Sequence, residues 1–78
     1  MKTKFNIALI GGRGYVGQEI IHILNQHPNF ILCKAFSRTA AEKEVDGYNQ
    51  HPSLRYSLLE DSNLDLDNID IAILALSN

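Results

Sequence analysis

Phe5-Asn6-Ile7-Ala8-Leu9-Ile10-Gly11-Gly12-Arg13-Gly14-Tyr15-Val16-Gly17 is the stretch on which the fold turns. Its first six residues are a nearly continuous apolar run, which suits a strand covered on both faces of a parallel sheet. The run stops at Gly11. Beyond the glycines, Val16, Ile20, Ile23 and Leu24, with Ile21 beside them, recur at intervals of three and four, which predicts a helix from Tyr15 to Gln26. Pro28 cannot continue that helix and biases His27 away from helical geometry.

Beyond Pro28, Phe30 to Phe36 reads as a second strand. Ser37 to Ser53 mixes polar residues, Gly and Pro and reads as loop, with one helical turn expected near Ala40 to Glu44. Leu54 to Leu59 alternates weakly, as a short edge strand would. Ile69 to Leu76 is the strongest buried-strand signal in the chain. This order predicts an open parallel α/β sheet. If the last strand lies beside the first, in the order 3-2-1-4, the connection from Leu59 to Ile69 is short for a crossover and must run extended or hold one turn.

Gly12 to Gly17 satisfies GxGxxG, and from Gly11 the same residues satisfy GxxGxxG. The pattern follows a buried-type strand, opens an amphipathic helix, and a second strand arrives about 20 residues later, the context a dinucleotide-binding turn requires. Glycines permit positive φ and lack Cβ atoms, so backbone N–H groups can approach a pyrophosphate in the positive field of a helix N-terminus. The end of the second strand discriminates between dinucleotides. An NAD site usually carries Asp or Glu there for the ribose 2′-hydroxyl; this chain has Ser37-Arg38-Thr39. A guanidinium flanked by hydroxyls suits a 2′-phosphate that a carboxylate would repel, so NADP is expected over NAD.

The chain has 78 residues, 45% apolar and 21% charged, enough for one small domain. The formal net charge is -2 and the basic residues are scattered, so no footprint for nucleic acid is present. Cys33, the single cysteine, has no partner for an intramolecular disulfide, and no apolar run is long enough for a signal core or membrane span. A cytoplasmic setting is the expectation. Several residues invite chemistry without supporting it. Cys33 falls inside a strand and reads as a small buried hydrophobe. His22 and His27 are five apart and share no metal-binding face, His51-Pro52 reads as a loop dipeptide, and Glu60, Asp61, Asp65, Asp67 and Asp70 read as solvated acids. No metal site and no catalytic constellation can be assembled.

These motifs together resemble the amino-terminal part of the semialdehyde dehydrogenase family. The likeness rests on Gly11-Gly12-Arg13-Gly14-Tyr15-Val16-Gly17-Gln18-Glu19, Leu24-Asn25-Gln26-His27-Pro28, Ser37-Arg38, His51-Pro52-Ser53-Leu54 and Asp70 to Leu76, and covers almost all of the chain. The Gly-Tyr-Val-Gly, His-Pro and Ser-Arg combination favours the branch that reduces N-acetyl-gamma-glutamyl phosphate in arginine biosynthesis over the aspartate-semialdehyde branch. The resemblance implies that Gly11, Gly12, Arg13, Gly14, Tyr15, Val16 and Gly17 hold the NADP pyrophosphate. Ser37, Arg38 and Thr39 would take the 2′-phosphate, and Ser77 would approach the nicotinamide ribose. The family often has Ala at the position of Gly12, a harmless change in a tight loop, and often Pro at that of Ser77, which weakens the Ser77 contact.

The family's chemistry is NADPH-dependent reduction of an acyl phosphate to an aldehyde through a cysteine thioester, with a histidine as acid and base. Its catalytic cysteine, histidine and substrate arginines lie beyond the region represented, and Cys33 does not match the cysteine motif. The expectation is therefore that residues 1–78 are the truncated N-terminal portion of a Rossmann-type NADP-binding domain, inactive alone. The catalytic domain lies outside the chain, in a full-length protein that is a homo-oligomer acting on a small acyl phosphate. The alternatives are a fragment of an aspartate-semialdehyde dehydrogenase-like enzyme and a stand-alone nucleotide-binding or regulatory module.

Overall fold

Apolar, β-branched Phe5–Ile10 forms strand β1, the glycine-opened segment Tyr15–Asn25 forms helix α1, and Phe30–Ser37 forms β2. Two short strands follow, β3 at Tyr56–Leu58 and β4 at Ile71–Leu74. The computed structural model describes residues 3–11, 15–38, 42–59 and 65–75. All four strands run parallel, in the order β3-β2-β1-β4, as the 3-2-1-4 expectation required. β1 is central, and the chain crosses from one side of it to the other between β3 and β4.

The sheet separates two apolar clusters. On the α1 face, Ile7, Leu9, Leu32 and Ala35 pack with Ile21 and Leu24 of the helix and with Val45, Tyr48 and Leu54 of the segment before β3. On the opposite face Ala8, Ile10 and Phe36 are buried, with Leu59 and Ile69 packed partly against them. Burial of a side chain such as Leu9 contributes about 2–3 kcal/mol.

The helix buries a different row from the one its apolar spacing suggests. Gly17, Ile21 and Leu24 are buried with Ile20 partly so, whereas Val16 and Ile23 are 62% and 58% exposed. Residues at i, i+3, i+4 and i+7 from Gly17 face the sheet, and Val16 and Ile23 share a flank turned away by roughly 100°. The helix closes with Gln26 N–H to Ile23 O and His27 N–H to Leu24 O, both 3.1 Å, a tighter last turn. Gln50 Nε2 donates to the Asn25 carbonyl at 2.8 Å, and Asn25 Oδ1 accepts from Asn49 N–H at 2.6 Å. Residues 49–50 thus cap the helix end.

The helical turn expected near Ala40 to Glu44 is not formed where the structure describes it. Glu42 has φ +67°, outside helical space, and Glu44 bridges antiparallel to Arg55. Gly47, at φ +84°, turns the chain into buried Tyr48. A Cβ there would lie 4.0 Å from Ile21 Cγ2, an ordinary contact, so Gly47→Ala carries only the conformational cost. Denaturation should show a loss of about 1–2 kcal/mol; an unchanged midpoint would mean that the left-handed turn is not kept in solution.

Two of the acids expected to be solvated have structural partners. Asp70 Oδ2 accepts from Asn6 N–H at 2.7 Å, Asp70 N–H returns a bond to Asn6 O at 2.8 Å, and Asn6 Nδ2 donates to Asn68 O. Asn68 has φ +65°, which asparagine tolerates well. Asp65 meets Lys34 Nζ at 3.1 Å. The Asp67 backbone N–H, then Lys34, hold the Asp65 carboxyl below its ordinary range. Its contribution to stability is present above that range and is lost as pH falls through the lowered value, and its exposure keeps the effect small. β4 is shorter than the apolar run Ile69 to Leu76, and Ile71 and Leu74 are 40% and 70% exposed because β4 is an open sheet edge.

Candidate functional site

Three backbone bonds lace the carboxyl ends of the strands together. Gly11 N–H donates to Phe36 O at 2.8 Å, Ala75 N–H to Ile10 O at 2.8 Å, and Leu59 N–H to Ser37 O at 2.9 Å. They bring the start of the glycine turn, the end of β2 and the end of β4 to one edge of the sheet. The sheet order reverses at β1, so this edge contains the topological switch point where open α/β sheets hold ligands.

Gly11 has φ +85°, the left-handed conformation that a tight turn out of a strand demands of glycine. Tyr15 and Val16 stand exposed on the first turn of α1, and Gly17 is buried where the helix meets the sheet. That turn carries no acidic side chain, so no carboxylate offsets the positive end of the helix dipole. Ser37 closes β2 with 3% exposure, and Arg38 follows it, exposed and held by no ion pair among the described residues. Gly12, Arg13, Gly14, Thr39 and Ser77 lie outside the described residues.

A groove of about 680 Å³ lies elsewhere. Gln18, Glu42, Lys43, Glu44, Asp46, Arg55 and Tyr56 line it, and none of Gly11, Gly17, Ser37 or Arg38 does. Its three carboxylates against two cations make it a poor receptor for a pyrophosphate, so the carboxyl edge remains the candidate site on chemistry and topology.

Burial pushes the Cys33 thiol above its ordinary value, against a hydrogen bond from the Ile7 backbone, so it has little thiolate at neutral pH. His22 Nε2 lies 3.2 Å from Gln26 Nε2, and His27 stacks on Phe30 at 4.4 Å between ring centroids. Among the described residues no group of three or more His, Cys, Asp or Glu side chains could hold a metal ion. No helix among them is long and apolar enough to cross a membrane.

Comparison with known proteins agrees with this geometry. Protein arg-6, mitochondrial, of Neurospora crassa is 39% identical over the whole chain, which spans 9% of that relative. N-acetyl-gamma-glutamyl-phosphate reductase of Xanthomonas oryzae pv. oryzae is 35% identical over 92% of the chain, which spans 23% of it. The chain therefore covers a quarter or less of the length of these relatives. The crystal structure of aspartate semialdehyde dehydrogenase with NADP from Candida albicans matches 95% of the chain and 24% of its own, with a TM-score of 0.75 at 16% identity. That likeness concerns the fold. Residues 6–78 match the family described as semialdehyde dehydrogenase, NAD binding domain. With a GxGxxG sequence where β1 gives way to α1 and a parallel 3-2-1-4 sheet, the chain belongs to this family of oxidoreductase domains, whose cofactor is a nicotinamide dinucleotide.

Proposed function

We propose that the chain is the NADP-binding, amino-terminal part of an enzyme that reduces N-acetyl-gamma-glutamyl phosphate to its semialdehyde. The observation that carries the choice of cofactor is Arg38, an exposed cation directly after buried Ser37 at the carboxyl end of β2. A carboxylate there would suit a free ribose hydroxyl; a guanidinium suits a 2′-phosphate. Gly11 to Gly17 would bind the pyrophosphate, and Ser37, Arg38 and Thr39 the 2′-phosphate, with Ser77 near the nicotinamide ribose. The substrate reading draws on relatives whose names carry that activity.

When bound, NADPH supplies the hydride. This chain's residues bind and orient it, and the groups that hold and attack the acyl phosphate come from the rest of a full-length, homo-oligomeric protein. The unpaired Cys33 fits a reducing, cytoplasmic compartment. Calorimetry on the intact protein should give tighter binding for NADPH than for NADH; equal affinities would sink the assignment of Arg38. A second reading, an enzyme acting on aspartyl phosphate, draws on the glycine loop that both branches of the family share. Turnover of the intact protein with each acyl phosphate separates the two.

A further inference from the structure

Strand β2 does not alternate regularly. Ile7 pairs with Leu32 and Ala8 with Lys34, so Cys33 is an extra residue opposite a single step of β1. Leu32 and Ala35, three apart, consequently share the core under α1, while Phe36 lies in the cluster on the other face. A one-residue bulge exchanges the faces of everything beyond it. By strict alternation from Leu32, Ser37 would fall on the face away from α1; with the bulge it continues the side of Ala35.

A bulge leaves backbone groups without ladder partners. β3 pairs with β2 at Ala35–Ser37, so among the described residues no strand lies beside Leu32 on the side away from β1. In place of one, the hydroxyl of Tyr48 accepts the Leu32 N–H at 2.9 Å, and Tyr48 is 2% exposed. On the inner side, the Ile7 backbone bonds the Cys33 thiol.

We propose that Tyr48 is a positioning residue for the 2′-phosphate of the dinucleotide: its hydroxyl locks the bulge at Cys33, and the locked bulge sets where Ser37 and Arg38 stand. The inference rests on the reading of those two residues given above. Without the hydroxyl, the Leu32 N–H is buried with no acceptor, which is costly. The strand relieves this by moving the bulge toward Ser37 or spreading it over neighbouring residues. Either change alters how Ser37-Arg38 is presented more than it alters the glycine turn, which continues β1 and is tied to β2 through Gly11 N–H to Phe36 O.

Tyr48→Phe keeps the ring and removes the acceptor. In the intact protein it should weaken NADPH binding about three- to tenfold, leave NADH within about twofold, and speed exchange of the Leu32 amide. A purely structural role moves both cofactors together or neither, so an unchanged NADPH-to-NADH ratio overturns the proposal. Arg38→Ala measured alongside separates the failures. If it abolishes the preference and Tyr48→Phe keeps it, this inference alone falls. If the unmutated protein has no preference, both readings fall. Should Tyr48→Phe not fold, exchange in the unmutated protein decides. The Leu32 amide must be as protected as the paired amides of β1, and exchange at the rate of an open edge overturns the inference.

Discussion

Arg38→Ala in the intact protein is expected to weaken NADPH binding about ten- to a hundredfold while leaving NADH binding within about twofold. Hydrogen bonds to a charged group contribute about 1.5–3 kcal/mol, and about 1.4 kcal/mol is a factor of ten in affinity. The side chain is exposed and bears on no packed cluster, so its removal hardly disturbs folding and the change is read in binding. Arg38→Lys should fall between, since an ammonium keeps the charge and loses the two-pronged geometry. Titration calorimetry with both cofactors checks this. Equal losses for NADPH and NADH would put Arg38 on a part of the dinucleotide that the two share.

Leu9→Ala is expected to lower stability by about 3–5 kcal/mol. Leu9 is fully buried in the central strand, registered between Ala35 and Ile73, in one cluster with Ile21 and Leu24 of α1. Neighbours on both sides are pinned by the sheet and cannot close in on the space left. Native domains hold about 5–15 kcal/mol, small ones toward the lower end, so the loss is a large share of the total. Amide exchange of β1 and β2 in the intact protein measures the opening free energy. NADPH should restore part of it by binding only the folded form. A drop below about 1 kcal/mol would contradict the packing described.

The parts of the fold written in contiguous residues were legible. Phe5–Ile10 is the strand its apolar run predicts, Tyr15–Asn25 ends before Pro28, and the 3-2-1-4 order follows from a strand-helix-strand unit whose last strand returns beside the first. What depended on distant partners was not. Val16 and Ile23 fit an apolar stripe, but the sheet decides which flank is covered, and Gly17 adds to the buried row without any apolar signal of its own. The bulge at Cys33 leaves no trace in composition. Its lock, Tyr48, stands between Gly47 and Asn49 in a polar loop, where an aromatic residue is the one sign that something must be anchored. At the candidate site, the positions of Ser37 and Arg38 at the end of β2 were readable because the fingerprint counts along the chain, while the apposition of Gly11 with Phe36 and of Ala75 with Ile10 is a property of the sheet.

The brackets around Asn6 bear on how this domain tolerates change in its sequence. Asp70 grips both the N–H and the carbonyl of Asn6, and the Asn6 side chain holds Asn68, so β4 is aligned on β1 by the residue just before its start. The crossover from Leu59 need only deliver the chain to that point. Alignment is thus uncoupled from loop length. Insertions and deletions after Leu59 can accumulate without shifting Ala75 against Ile10, and drift in the connector stays silent at the carboxyl edge of the sheet for as long as Asn6 and Asp70 are kept.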